Sequence, residues 1–177
     1  ESGEIETVYL LGADEFDTAR LKNAFVIYQG ALGDAGAHAA DVILPGAAYP
    51  EKSGTYVNME GRAQRSQRAV FPPGDGREDW SILRALSGVM DAVLPFNDIR
   101  GLREAVEAAC PALGDLDVQA PGEWGAFGLE GPCDSAPFVS AVQNFYMTAP
   151  ISRASPTMAK CTADFGTAAE KQAEGHG

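Results

Sequence analysis

Three short apolar runs, Thr7 to Leu11, Phe25 to Tyr28 and Val42 to Leu44, crowd into the start of the chain, and none alternates polar with apolar residues. Strands that show water one face alternate; strands covered on both faces read as continuous apolar runs, the pattern of a parallel α/β sheet. Gly12-Ala13-Asp14 closes the first run, Gln29-Gly30 the second and Pro45 the third. The segments between them are short, so the crossovers are small: Asp17 to Asn23 is a short helix candidate, and Gly33-Asp34-Ala35-Gly36 leads into the Ala-rich Ala37 to Ala40. The fold class expected is α/β.

Gly54 to Gln64 reads as an extended stretch that turns at Glu60-Gly61 and returns. Phe71-Pro72-Pro73-Gly74 is a break. Asp79 is placed to N-cap a helix reaching about Met90, with Trp80, Leu83, Ser87 and Met90 as one stripe and Ile82, Leu86 and Val89 beside it. Such a wide apolar face is expected to pack on the sheet. A second helix follows Asn97-Asp98, with the stripe Ile99, Leu102, Val106 and Cys110, and Pro111 ends it. Beyond Pro111, closely spaced Gly and Pro exclude long regular elements. Trp124, Phe127, Phe138, Phe145 and Tyr146 are too many aromatics for a disordered linker. The expected organisation is therefore an α/β domain over residues 1–111, an irregular arm over 112–161 that packs on another surface, with a short helix from Phe138 to Phe145, and a polar tail over 162–177.

Totals exclude several functions. A net charge of −12 opposes nucleic acid binding, because phosphate repels such a field. No apolar run approaches the ~20 residues of a membrane span. Glu1 stands where a Met would, and the chain reads as a piece of a longer protein. Cys110, Cys133 and Cys161 are far apart, and His38 and His176 are the two histidines. Structural zinc and iron–sulfur clusters need several ligands at short spacing, so no metal site is expected, and scattered thiols fit a reducing compartment.

Chemistry concentrates in the loop Ala40 to Gln64. Gly54 and Gly61 permit backbone geometries or close approaches that side chains forbid. Thr55 and Asn58 can bind a phosphate or a neighbouring backbone, and Arg62 offers a planar fork for phosphate or carboxylate. Two readings follow: a pocket wall for a phosphorylated cofactor, or a self-contained turn with Arg62 paired to Glu60, Glu51 or a backbone carbonyl. Lys52, Arg62, Arg65, Arg68 and Arg77 form a basic island, which is either a contact for an anionic ligand or acidic partner, or a solvated strand face. Gly30 to Gly36 lacks the spacing of a dinucleotide fingerprint and the Gly-Lys-Ser/Thr of a P-loop, and reads as a strand-to-helix turn. No Ser–His–Asp set or carboxylate pair stands out, so no catalytic residue is assigned.

Ala40-Asp41-Val42-Ile43-Leu44-Pro45, followed by Glu51-Lys52-Ser53-Gly54-Thr55-Tyr56-Val57-Asn58-Met59-Glu60-Gly61-Arg62, resembles the signature of molybdopterin-oxidoreductase-type domains. Tyr28-Gln29-Gly30, Arg77-Glu78-Asp79-Trp80, Asn144-Phe145-Tyr146-Met147-Thr148 and Pro150-Ile151-Ser152-Arg153-Ala154-Ser155-Pro156-Thr157-Met158-Ala159 narrow the likeness. They resemble the C-terminal part of the large iron–sulfur subunit family of respiratory complex I, alphaproteobacterial or mitochondrial in type. That resemblance implies part of an NADH:quinone oxidoreductase, with 2Fe–2S and 4Fe–4S clusters upstream of this segment. It implies a scaffold role here, without catalysis or cofactor, among other peripheral-arm subunits. The location implied is the cytoplasmic face of a bacterial inner membrane or the matrix side of the mitochondrial one. Gly54, Thr55, Asn58 and Arg62 match positions near the pterin dinucleotide in cofactor-binding relatives and are expected to be a vestige of that loop. The alternatives are a fragment of a genuine molybdopterin enzyme of the formate dehydrogenase type, and an unrelated α/β binding module.

Overall fold

The computed structural model describes residues 4–119, 121–122, 125–126, 128–132, 135–137, 142 and 144–167. The chain divides into two compact units after Gly122.

The first unit opens with β1 (Thr7–Leu11), β2 (Phe25–Gly30) and β3 (Val42–Pro45), joined in a parallel sheet of order β1-β2-β3. The apolar runs thus become strands as expected. Asp17 to Asn23 forms a single 3-10 turn, Thr18–Leu21, which Asp17 caps by accepting from the Ala19 N–H at 3.1 Å. α1 (Ala35–His38) follows the Gly33-Asp34 turn, and the Asp34 carboxylate caps it by accepting from the Ala35 N–H at 2.9 Å. The buried Asp14 accepts from the Gly36 N–H at 3.1 Å, and the Tyr28 hydroxyl donates to the Leu32 carbonyl at 3.0 Å. The glycine-rich turn is therefore filled by the protein's own side chains.

Parallel partners share a face, so the register sorts the sheet residues. Val8 pairs with Val26, and Leu10 with Tyr28 and through it Ile43. On that face Leu10, Val26 and Tyr28 form the buried core, covered by Leu21, Ala37 and Ala40, and the cover stops short of Ile43. The opposite face carries Phe25, Ile27, Val42 and Leu11. There Phe25 is 49% exposed, Leu11 50% and Val42 38%, against 1% for Val26. The continuous apolar runs call for cover on both faces; among the described residues one face is covered as far as Tyr28, and the other is fully buried only at Gln29.

β4 (Gly54–Val57) and β5 (Ala63–Ser66) form an antiparallel hairpin. Leu116 and Asp117 run beside β5, with the Asp117 N–H donating to the Ala63 carbonyl at 2.8 Å. α2 (Asp79–Val89) has Glu78, not Asp79, at its N-cap. Asp79 is instead the first helical residue, and its carboxylate reaches other elements. α2 meets the sheet there, while at its far end Val89 and Met90 are 83% and 67% exposed, so the expected stripe is not covered along its length. Arg84 donates to the Phe96 carbonyl at 2.8 Å and to Asn97 at 2.9 Å, and the Ser87 hydroxyl accepts from the Leu94 N–H at 3.1 Å. These bonds hold the link into α3 (Ile99–Ala109), which Asp98 caps through the Gly101 N–H at 2.8 Å. Pro111 opens a further 3-10 turn after α3 ends.

In the second unit, α4 (Pro150–Arg153) and α5 (Pro156–Phe165) are regular elements in a stretch expected to be irregular. Both prolines sit in the first helical turn, where a missing N–H costs nothing, so residues that look like breakers start helices. α5 continues past Thr162, which is fully buried and exchanges hydrogen bonds with Asn144, where a polar tail was expected to begin. The short helix expected over 138–145 lies mainly outside the described residues, as do Trp124, Phe127 and Phe138; Phe145 stands in a turn.

Candidate functional site

The Ala40–Gln64 loop reaches the hairpin through a 3-10 turn, Tyr49–Glu51, where Glu51 accepts from the Ala48 N–H at 2.9 Å. Lys52 then points its ammonium at the Asp79 carboxylate. Asp79 also accepts from the Gln29 amide at 2.9 Å, and Gln29 in turn accepts from the Tyr9 hydroxyl. Gln29 is 0% exposed, so its amide depends on these partners. The chain Tyr9–Gln29–Asp79–Lys52 ties β1, β2, α2 and the segment leading into the hairpin together. Burial first, and the Asp79 charge second, push the Tyr9 phenol above its ordinary value of 10.0.

The turn at the tip of the hairpin is closed by Asn58. Its side-chain carbonyl accepts from the Glu60 and Arg62 N–H groups, each at 3.0 Å, and its backbone carbonyl accepts from the Gly61 N–H at 3.0 Å. Gly61 takes φ +77°, the left-handed geometry glycine adopts at no steric cost. Arg62 donates to the Asp117 carbonyl at 2.7 Å and pairs with Glu60 at 3.4 Å. Glu51 is engaged elsewhere. The rest of the basic island is paired in the same manner: Arg65 with Glu107, Arg68 with Glu78 at 2.9 Å, and Arg77 with the Gly76 carbonyl at 2.8 Å.

Between the hairpin and the two helices lies a cleft of about 380 Å³. Lys52, Gly54, Thr55, Tyr56 and Arg65 form one wall; Asp79, Trp80, Leu102, Arg103, Val106 and Leu113 form the other. Of the four loop residues singled out in the sequence, Gly54 and Thr55 line this cleft. Asn58 and Arg62 are in the turn at the hairpin's tip. A Cβ on Gly54 would meet the Tyr56 ring at 2.8 Å. The α3 wall and the Gln29–Asp79 bond were missed, since nothing local marks a residue that serves a partner fifty positions away. The one usable signal was a polar Gln29 ending an apolar strand.

Among the described residues there is no group of three or more His, Cys, Asp or Glu side chains placed to hold a metal, and Cys110 and Cys161 are free thiols. No helix among them is long and apolar enough to cross a membrane.

Residues 1–89 match the family described as Molybdopterin oxidoreductase. The chain belongs to that family. As a member of the molybdopterin oxidoreductase family it carries a second, more specific match, over residues 120–161, to the family of the C-terminal region of the NADH-ubiquinone oxidoreductase G subunit. Its relatives agree. It is 48% identical to the mitochondrial NADH-ubiquinone oxidoreductase 78 kDa subunit of Candida albicans, over 97% of this chain and 25% of the relative. It is 42% identical to the NADH-ubiquinone oxidoreductase 75 kDa subunit of Reclinomonas americana, over 88% of this chain and 23% of that one. It is 41% identical to the G subunit of the NADH-quinone oxidoreductase of Rickettsia felis, over 89% of this chain and 24% of that one. This member of the molybdopterin oxidoreductase family therefore spans about a quarter of the length of the curated relatives it matches, and those relatives include mitochondrial and bacterial proteins.

Proposed function

We propose that this chain is a scaffold segment of the large iron–sulfur subunit of a proton-translocating NADH:quinone oxidoreductase. It bears no cluster and performs no chemistry of its own. The observation that carries this reading is the order of two matches in one chain, the molybdopterin-type domain followed by the C-terminal segment specific to the oxidoreductase's G subunit. A formate dehydrogenase-type enzyme shares the first and gives no reason for the second. The 2Fe–2S and 4Fe–4S clusters that relay electrons toward quinone belong, on this reading, to the remaining three-quarters or so of the polypeptide. The partners are other peripheral-arm subunits, on the cytoplasmic side of a bacterial inner membrane or the matrix side of the mitochondrial one. Exposed Phe145, Ile151 and Phe165 in the second unit supply apolar surface for such docking.

The pterin that the family name implies does not fit the loop residues as they stand. Asn58 and Arg62 direct their polar atoms into their own turn and to Asp117, and Tyr56 closes over Gly54. We read Gly54, Thr55, Asn58 and Arg62 as a retained fold element, in which an internal carboxylate and a carbonyl satisfy the guanidinium that a phosphate would otherwise hold.

The test is metal and pterin content. The purified chain is expected to hold iron and molybdenum far below one per polypeptide, with no pterin fluorescence after oxidative release. Stoichiometric iron, molybdenum or pterin ends the proposal. In the intact oxidoreductase, a tag on this segment is expected to co-purify NADH:quinone activity; its absence from the active fraction counts equally against the reading.

A further inference from the structure

We propose that the cleft between the hairpin and α3 binds a small carboxylate with a flat apolar body. The argument begins with which charges are already answered. Asp79 is held by Lys52 and Gln29, Glu78 by Arg68 and the Trp80 indole N–H at 3.0 Å, and Glu107 by Arg65. Every carboxylate at the rim is engaged. The cations are answered in part: Lys52 is spent on Asp79 and Arg65 on Glu107, while Arg103 forms no ion pair among the described residues. In a chain of net charge −12, the unanswered charge of this cleft is thus a cation, the Arg103 guanidinium. A planar carboxylate suits guanidinium N–H groups.

The floor defines the rest of the ligand. Leu102, Val106 and Leu113 line it with the Trp80 ring, which is fixed by its bond to Glu78 and by an edge contact to Phe96 with ring centres 6.5 Å apart. A volume of about 380 Å³ falls within the range of small-ligand sites. The site shares Gly54 and Thr55 with the loop that resembles a pterin cradle, and its other wall includes α3. Its α3 wall lies beyond residues 1–89, outside the molybdopterin-type match, and before residue 120, where the second match begins. Inorganic phosphate finds the cations here but gains nothing from the floor.

Benzoate, its neutral analogue benzamide and inorganic phosphate are the probes. In the whole chain carrying Trp124→Phe, Trp80 is the one remaining indole and reports on the cleft. Benzoate is expected to change its emission saturably and to raise the melting temperature of the unaltered chain. Benzamide and phosphate are expected to bind roughly tenfold more weakly, and Arg103→Gln to weaken benzoate by roughly tenfold. Arg103→Gln removes no ion pair among the described residues and is expected to leave the circular dichroism unchanged. A response that never saturates, a melting temperature indifferent to benzoate, equal binding by Arg103→Gln, or phosphate binding as tightly as benzoate overturns the proposal.

Discussion

The two faces of the parallel sheet differ more than their sequences do. Both are lined by Val, Ile, Leu and aromatic residues. One is closed by Leu21, Ala37 and Ala40 everywhere but at Ile43, and the other leaves Phe25, Val42 and Leu11 about half exposed, with its polar end plugged by Gln29 and Asp79. The difference teaches that an apolar strand states a demand for cover without naming the supplier. Helices on both faces satisfy that demand in parallel sheets. Here α1 and a 3-10 turn serve one face, and α2 is anchored at its own N-terminus instead of lying along the other.

The sharpest way to break this comparison is a matched pair of substitutions. Leu10→Ala on the closed face is expected to cost about 2–4 kcal/mol in urea unfolding, as a buried leucine deletion does. Phe25→Ser on the open face is expected to cost under about 1 kcal/mol in the same chain. Equal losses would mean that the open face is packed after all. Next in size is the polar plug. Asp79→Ala strips the partner from a fully buried amide and from Lys52, with an expected loss of about 2 kcal/mol. Asp79→Asn, which keeps an acceptor for Gln29, is expected to lose less, and a larger loss for Asn than for Ala would refute the hydrogen-bond account. At the hairpin tip Asn58→Ala removes an acceptor from two backbone N–H groups and is expected to cost about 1 kcal/mol, read from the same unfolding curves.

The smallest effect is alkaline. The folded state holds the Tyr9 proton more tightly than the unfolded state does, so between the ordinary phenol value of 10.0 and the raised one the native protein binds more protons. Stability is therefore intact below about pH 10 and declines as pH rises through that window. Tyr9→Phe should flatten the decline, and an unchanged alkaline slope in that variant would assign it to another group.

Much of the fold was legible in local pattern. The apolar runs between turn residues mark all three parallel strands, Asp98 announces α3, and Glu60-Gly61 marks the hairpin turn. Local reading failed where a side chain serves a distant partner. Asp79 has the composition of an N-cap, but its carboxylate is drawn to Gln29 and Lys52, and the cap position passes to Glu78. Pro150 and Pro156 look like interruptions because a proline says where a helix cannot continue before it says where one begins. The cleft was half legible: Gly54 and Thr55 stood out, while Arg65 joins Glu107 across forty-two positions that carry no mutual signal.

The Gln29–Asp79 bond spans fifty residues, whereas the strand pairings close loops of fewer than twenty. During synthesis the sheet can assemble as soon as residue 45 has left the ribosome. The clasp that joins hairpin and helix to it must wait for Asp79 to emerge. Until then the Gln29 amide has only water for a partner, and the apolar residues of the same sheet face stay exposed, the kind of surface that makes partly folded chains prone to aggregate.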